Sequence, residues 1–174
     1  DTSGVILAAR NQRYFEYLKK LFQTGQIKKT YLALVWGKLE PRKGIIEKSI
    51  KLKTGTVKRT VWAGKDEKKA ITEYKVIKFF KLKVGKEKEQ IFSLVDVAPK
   101  TGRTHQIRVH LASIGHPIVG DSLYGGKRSP FGRSPLGRQF LHAESLEFSS
   151  SEGKRLKIEA ELPNDLKRII DTLA

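Results

Sequence analysis

Val97-Ala98-Pro99-Lys100-Thr101-Gly102-Arg103-Thr104-His105-Gln106-Ile107-Arg108-Val109-His110-Leu111 is the stretch on which the fold turns. A run with β character, Gln90 to Val97, meets a Pro–Gly turn there, and a helical pattern follows at once. Proline presets φ and glycine tolerates positive φ, so the two punctuate such a junction. On a helical wheel Ile107, Leu111 and Ile114 share one face at i, i+4, i+7, the spacing of a buried stripe. Thr104, Arg108 and Ala112 lie along its margin. The stem of Arg108 therefore lies near the core, and its guanidinium must find an anion or several acceptors. Two readings fit: a structural arginine on a carbonyl or surface acid, or an arginine holding a carboxylate in a cleft.

Composition narrows the setting. A chain of 174 residues fits one domain with a real core. No apolar run approaches the roughly 20 residues that span a bilayer, and no signal-peptide pattern opens the chain. With no cysteine, a disulfide framework and a thiolate zinc site are both excluded. The net charge of +17 is spread along the chain rather than gathered in a tail. A folded basic domain of this kind meets a polyanion, nucleic acid first and an anionic membrane second. No segment reads as a basic amphipathic anchor, which disfavours the membrane. The chain has no methionine, so it reads as a trimmed or partial sequence.

Outward from the central turn, Asp1 to Gly4 reads as a turn and Val5 to Ala9 as a short strand. Asn11 can cap a helix running to about Gln23, ended by Thr24-Gly25. Phe15, Leu18 and Phe22 have core spacing on it, framed by Tyr14 and Tyr17. Ile27 to Trp36 alternates with apolar groups on both faces, the mark of a central strand covered on both sides. A tyrosine in such a strand, Tyr31, reads first as a packed amphipathic side chain. Ile45 to Leu52, Val57 to Trp62 and Ala70 to Phe80 are further strands. Turns are expected at Gly55, over Gly64 to Lys68, and over Gly85 to Lys88. Thr54 to Arg59 forms a hairpin tip carrying Lys58 and Arg59, either a solvated turn or a finger on RNA phosphates. Gly125 to Arg138 reads as a cationic loop. Phe140 to Phe148 and Leu156 to Glu161 are strands, and Asn164 or Asp165 caps a last helix through Leu173.

Other chemistries find little support. The spacings of His105, His110 and His116 do not match a helical metal pair. There is no Gly-x-Ser-x-Gly elbow and no Gly-x-x-x-x-Gly-Lys-Ser/Thr phosphate loop.

Gly102-Arg103-Thr104-His105-Gln106-Ile107-Arg108-Val109-His110, then His116 to Asp121 and Tyr124-Gly125, closely resemble the RluA-type RNA pseudouridine synthases. Asp1 to Leu7, Lys29-Thr30-Tyr31-Leu32-Ala33-Leu34-Val35 and Phe140-Leu141-His142-Ala143 extend the resemblance over nearly the whole chain. It implies a mixed α+β domain, a large and mostly antiparallel β-sheet flanked by helices, as a single catalytic domain incomplete at its amino end. It implies isomerisation of uridine in structured RNA, ribosomal in preference to transfer RNA, by a cytoplasmic monomer without cofactor or metal. In the family the first block follows His-Arg-Leu-Asp-x, whose Asp is the nucleophile. That Asp would sit two residues before Asp1, and Asp1 itself matches a later, non-catalytic position. For the polypeptide as given, RNA binding with little or no turnover is therefore expected, and a non-catalytic RNA-binding domain is the rival reading. By position Tyr31 matches the tyrosine that lies against the target base, and Arg108 would pair with the nucleophile. Arg103 and His105, at the helix N-terminus, are expected to contact RNA phosphate or sugar together with Lys58 and Arg59.

Overall fold

The computed structural model describes residues 1–56, 58–62, 64–84, 88–125 and 136–174, with only the backbone of Val84 and Lys88. In chain order the elements are β1 (Ser3–Gly4), α1 (Gln12–Gln23), β2 (Lys28–Trp36), β3 (Lys43–Glu47), β4 (Ile50–Leu52) and β5 (Arg59–Thr60). There follow β6 (Lys65–Lys68), β7 (Ile71–Val84), β8 (Lys88–Pro99), α2 (Gln106–Ser113), β9 (Leu141–Ser149), β10 (Arg155–Glu159) and α3 (Asn164–Leu173). The seven-stranded sheet runs β1-β9-β2-β8-β7-β3, with β10 also paired to β9. Only β1 on β9 is parallel among these pairs. A three-stranded sheet, β5-β4-β6, stands beside it. The mixed, mostly antiparallel α+β architecture expected from the sequence is the one observed.

One transverse row crosses the whole large sheet. Gly4 pairs with Ala143, Ala143 with Tyr31, Tyr31 with Val97, Val97 with Tyr74, and Tyr74 with Gly44. Strands lie about 4.8 Å apart, so the backbones of Gly4 and Tyr31 are roughly 10 Å apart on either side of β9. Ladder register thus carries the amino end, Tyr31 and the start of the central turn to one level of the sheet. Close approach at Gly4 depends on its missing side chain. Its φ is +112°, and a Cβ there would run into the Ala143 carbonyl, which accepts from the Val5 amide at 2.9 Å. Tyr31 also sits at a register shift between β2 and β9, where Thr30 pairs with Ser145 and Tyr31 with Ala143. Bulges of this kind re-aim side chains beside functional sites.

The main core joins the inner strands to two helices. Phe92, Phe140, Leu34, Leu111, Ile118 and Leu166 are fully buried within it. Ile107 and Leu111 of α2 are buried there and Ile114 packs against it, as the helical wheel predicts. The other side of α2 is buried as well. Val109 packs with Ile50 and Ala70, and His110 bridges Thr72 Oγ1 (2.9 Å) and the Lys48 carbonyl (2.9 Å). A second core under α1 contains Leu21, Ile27, Leu146 and Phe148.

Several expectations are corrected. The first strand is Ser3–Gly4 rather than Val5 to Ala9, because parallel pairing to β9 spans only two residues. Asn11 caps α1 as expected, its side chain accepting from the Tyr14 amide at 2.9 Å. The buried residue of that helix is Leu21, however, with Tyr17 and Leu18 partly buried, while Phe15, Phe22 and Tyr14 are exposed. The run from Ile45 to Leu52 is two strands that serve different sheets. Lys65–Lys68, expected as part of a turn, is a strand held by pairing to β4. Neither Asn164 nor Asp165 caps α3; Pro163 holds the cap position, and the Asp165 carboxylate is occupied by Arg138 at 2.8 and 3.0 Å. The expected loop over Gly125 to Arg138 and turn over Gly85 to Lys88 fall largely outside the described residues.

These burials separate two phenylalanines that the sequence treats alike. Phe92→Ala is expected to cost about 3–5 kcal/mol in urea unfolding. Phe15→Ala, on the exposed face of α1, should change stability by no more than about 0.5 kcal/mol.

Candidate active site

A cavity of about 780 Å³ opens where the transverse row meets the central turn. Asp1 and Thr2 line it from the amino end, Lys29 and Tyr31 from β2, and Phe22 from α1. Pro99, Thr101, Gly102, Arg103, His105, Gln106, Ile107 and Arg108 close it from the turn and α2. Tyr31, Arg103, His105 and Arg108 are thus brought to one recess. Arg59 lines a smaller adjoining recess of about 110 Å³, with Arg103, Asp66 and Lys68. Lys58 lines neither; it lies at the base of the Thr54–Thr56 turn, where its carbonyl accepts from the Lys53 amide at 3.0 Å.

Gln106 fixes the turn. Its buried side-chain oxygen accepts from Thr101 Oγ1 (2.7 Å) and the Arg103 amide (3.0 Å). Its amide nitrogen donates to the Ile71 carbonyl (2.9 Å) and Thr72 Oγ1 (3.0 Å). All four of its hydrogen-bonding positions are used, so the loop is fastened to β7 before the helix begins. His105, the residue ahead of α2, takes up left-handed backbone, φ 57° and ψ 18°. That geometry is uncommon for a residue with a side chain and is held here by tertiary contacts.

Arg108 has an internal partner. Nε and Nη2 donate to Asp121 Oδ2 and Oδ1, each at 2.7 Å, and the Asp121 side chain is fully buried. The sequence reading paired Arg108 with a carboxylate ahead of Asp1; the carboxylate it meets is Asp121. Nη1 makes no hydrogen bond among the described residues. Asp121 Oδ1 also accepts from the amides of Leu123 (2.9 Å) and Tyr124 (3.0 Å). Burial opposes ionisation of Asp121, but the guanidinium and these amides outweigh it and hold the carboxyl below the usual range. Hydrogen bonding to Asp121 in turn raises Arg108, keeping it cationic. The preceding Gly120, at φ +77°, lets this loop pass the Arg138 carbonyl where a Cβ would collide.

Tyr124 extends the cluster. Its hydroxyl accepts from the Arg59 amide at 2.8 Å and meets His105 Nδ1 at 3.0 Å. Its ring stands edge-on to His105 at 5.7 Å and lies under the Arg108 guanidinium at 5.2 Å. Burial, then the charge of Arg108, lowers His105, favouring its neutral form at neutral pH. Burial raises the Tyr31 phenol and lowers Lys29, whose ammonium reaches the Thr101 carbonyl at 3.4 Å. The three histidines of the central region go to separate partners, His116 Nδ1 meeting the Trp36 carbonyl at 2.7 Å. Sequence reasoning assigned no role to Asp121, Tyr124, Gln106 or Lys29. The buried Arg108 stem, which demands an anion, was the signal that could have led to Asp121.

Removing one member of a buried ion pair leaves the other uncompensated, at about 3–5 kcal/mol. Asp121→Asn should therefore lower the melting temperature by roughly 10 °C near neutral pH. The pH dependence has a definite sign. His105 and His110 titrate lower in the folded protein than in the unfolded chain, so stability starts to fall as pH drops through about 6.5. Asp121 is depressed too, so its contribution is complete above about pH 4 and is lost as pH falls through the folded value. In melts across this range, the gap between Asp121→Asn and the parent should narrow only in the acid limb.

Comparisons with known proteins place the chain in a family and a fold. The RNA pseudouridylate synthase family model matches residues 1–113. An uncharacterized RNA pseudouridine synthase of Chlorobaculum parvum is 37% identical over 188 residues, covering 99% of this chain and 55% of the relative. The uncharacterized RNA pseudouridine synthase YhcT of Bacillus subtilis is 38% identical over 174 residues, covering 99% and 53%. The chain thus spans about half the length of these relatives. The solved structure of human RNA pseudouridylate synthase domain containing 1 superposes with a TM-score of 0.73 at 25% identity, over 95% of this chain and 73% of that one. With the family match over residues 1–113 and this agreement in fold, the chain belongs to the RluA-type RNA pseudouridylate synthase family.

Proposed function

We propose that this domain converts uridine to pseudouridine in structured RNA, large-subunit ribosomal RNA foremost, as a monomer in the cytoplasm. The observation that carries the reading is the convergence of the amino end, Tyr31, Arg103, His105 and Arg108 on one cavity in a chain of net charge +17. The reaction breaks the N1–C1′ bond of uridine, turns the base, and joins C5 to C1′. The C5 proton leaves and N1 gains one, so the base keeps its composition and no electrons enter or leave. A base inside folded RNA must be extruded to reach such a recess.

Tyr31 supplies a partly buried aromatic face for the extruded base. The nucleophilic carboxylate is the one that the resemblance puts two residues ahead of Asp1. Asp1 lines the cavity, and two residues of chain reach at most about 7 Å further. Arg108, directed by Asp121, offers Nη1 to that carboxylate and favours its ionised form. Arg103, His105 and Arg59 receive phosphate or sugar, with Lys58 beyond them. The Tyr31 phenol has a second task, receiving the C5 proton after the C–C bond forms. Burial keeps it protonated at neutral pH, so Oη takes up the C5 proton only as its own hydroxyl proton passes to water in the same step, and no free phenolate is formed.

Tritium release from C5-labelled uridine RNA tests the chemistry. A chain with His-Arg-Leu-Asp-x ahead of Asp1 should release tritium, and asparagine in place of that aspartate should abolish release. Release by the asparagine form would overturn the carboxylate's role, and none from either form would favour an RNA-binding domain without catalysis. Tyr31→Phe should bind RNA as the parent does yet slow the final step, and equal turnover would remove the proton-transfer role. Arg103→Ala should lower the slope of log affinity against log salt by about one.

A further inference from the structure

Helix α1 carries two aromatic side chains that the folded core does not use. Phe15 and Phe22 are 49% and 46% exposed, although the same helix buries Leu21. Phe22 lines the candidate active cavity and also an apolar trough of about 320 Å³ shared with Leu7, Phe15 and Leu18. The two recesses therefore adjoin at one ring. Each ring carries a cation at its face: Lys19 Nζ is 5.8 Å from the Phe15 centroid, and Lys29 Nζ is 6.0 Å from that of Phe22. Lys19 also meets Glu16 at 3.4 Å, an exposed contact that solvent and salt weaken.

An open aromatic face beside an ammonium matches one kind of occupant well. A nucleobase stacks on the ring while its phosphate meets the cation, and stacking needs no particular base. A duplex hides its base faces in its own stack and cannot use such a surface. A second copy of this chain would bring another +17 against a lysine-rimmed trough. We infer that Phe15 and Phe22 form a stacking platform for unpaired nucleotides next to the one held in the cavity. The inference rests on the RNA reading above and adds the state of the RNA required on this side: single-stranded, lying along α1.

The test titrates the chain with a labelled oligouridine strand and with a labelled RNA duplex of equal length. Phe15→Ala and Phe22→Ala should each weaken oligouridine binding on the order of tenfold. Duplex binding and the salt slope should stay at parent values, because no phosphate contact is removed. Phe22→Trp should restore binding, while Phe22→Leu, which keeps apolar bulk without an aromatic face, should not. Unchanged melting temperatures exclude misfolding as the cause. Parent-like oligouridine binding by both alanine variants would overturn the platform, as would an equal loss on duplex. A parent dimer in sedimentation that Phe22→Ala dissociates would assign the trough to a second copy instead. Should the parent bind neither RNA, the RNA reading itself fails, a result distinct from loss of the platform alone.

Discussion

The buried pair between Arg108 and Asp121 is the contact through which the cavity is assembled. It joins α2 to the loop after Ile118, and that loop presents Tyr124 to both His105 and the Arg59 amide. Two parallel bonds at 2.7 Å fix the guanidinium plane as well as its position. A lysine could supply the charge but not the fork. Burying two charges carries a desolvation cost that their attraction does little more than offset, so the pair is weak evidence for stability. Its consequence is directional: Arg108 enters the cavity in one orientation, with its charge already matched.

Matching that charge shapes the electrostatics of the recess. Since Asp121 answers Arg108, the unbalanced positive potential at the cavity comes from groups around it, Lys29 and Arg103 among those that line it. Arg103 donates one bond from Nε to the Lys69 carbonyl at 3.1 Å. Such a field favours an anionic ligand, and beside these cations Tyr31 is protonated, His105 is favoured neutral and Asp121 is ionised against Arg108.

What the sequence disclosed depended on how local each signal was. The Pro–Gly junction, the Ile107–Leu111–Ile114 stripe and the Asn11 cap rest on neighbours within a few residues, and each stands in the structure. The alternation around Tyr31 marked a central strand, and β2 does lie between β8 and β9. Spacing fails where tertiary context chooses between faces. Phe15, Leu18 and Phe22 make an acceptable stripe, but Ile27, Leu146 and Phe148 cover the side that carries Leu21. Lys65–Lys68 is polar throughout and has no strand pattern; pairing with β4 alone makes it one. Gln106 reads as a surface amide until the four groups it satisfies are known. Asp121 lies 13 residues from Arg108, beyond helical reach, so only the folded chain discloses their contact.

The cavity also owes its form to the kinds of element that meet there. Tyr31 and the amino end are held by ladder bonds to β9, and the turn is held by the four bonds of Gln106. These supports are largely independent, since one is sheet register and the other a side-chain network. Register can shift only in whole residue steps, and each step would turn Tyr31 to the opposite face of the sheet. The network is set by one buried side chain, Gln106, whose oxygen and nitrogen each hold two partners at once. A recess bounded by two such supports is organised before any ligand arrives. Less of the binding energy of any ligand then goes to ordering protein groups.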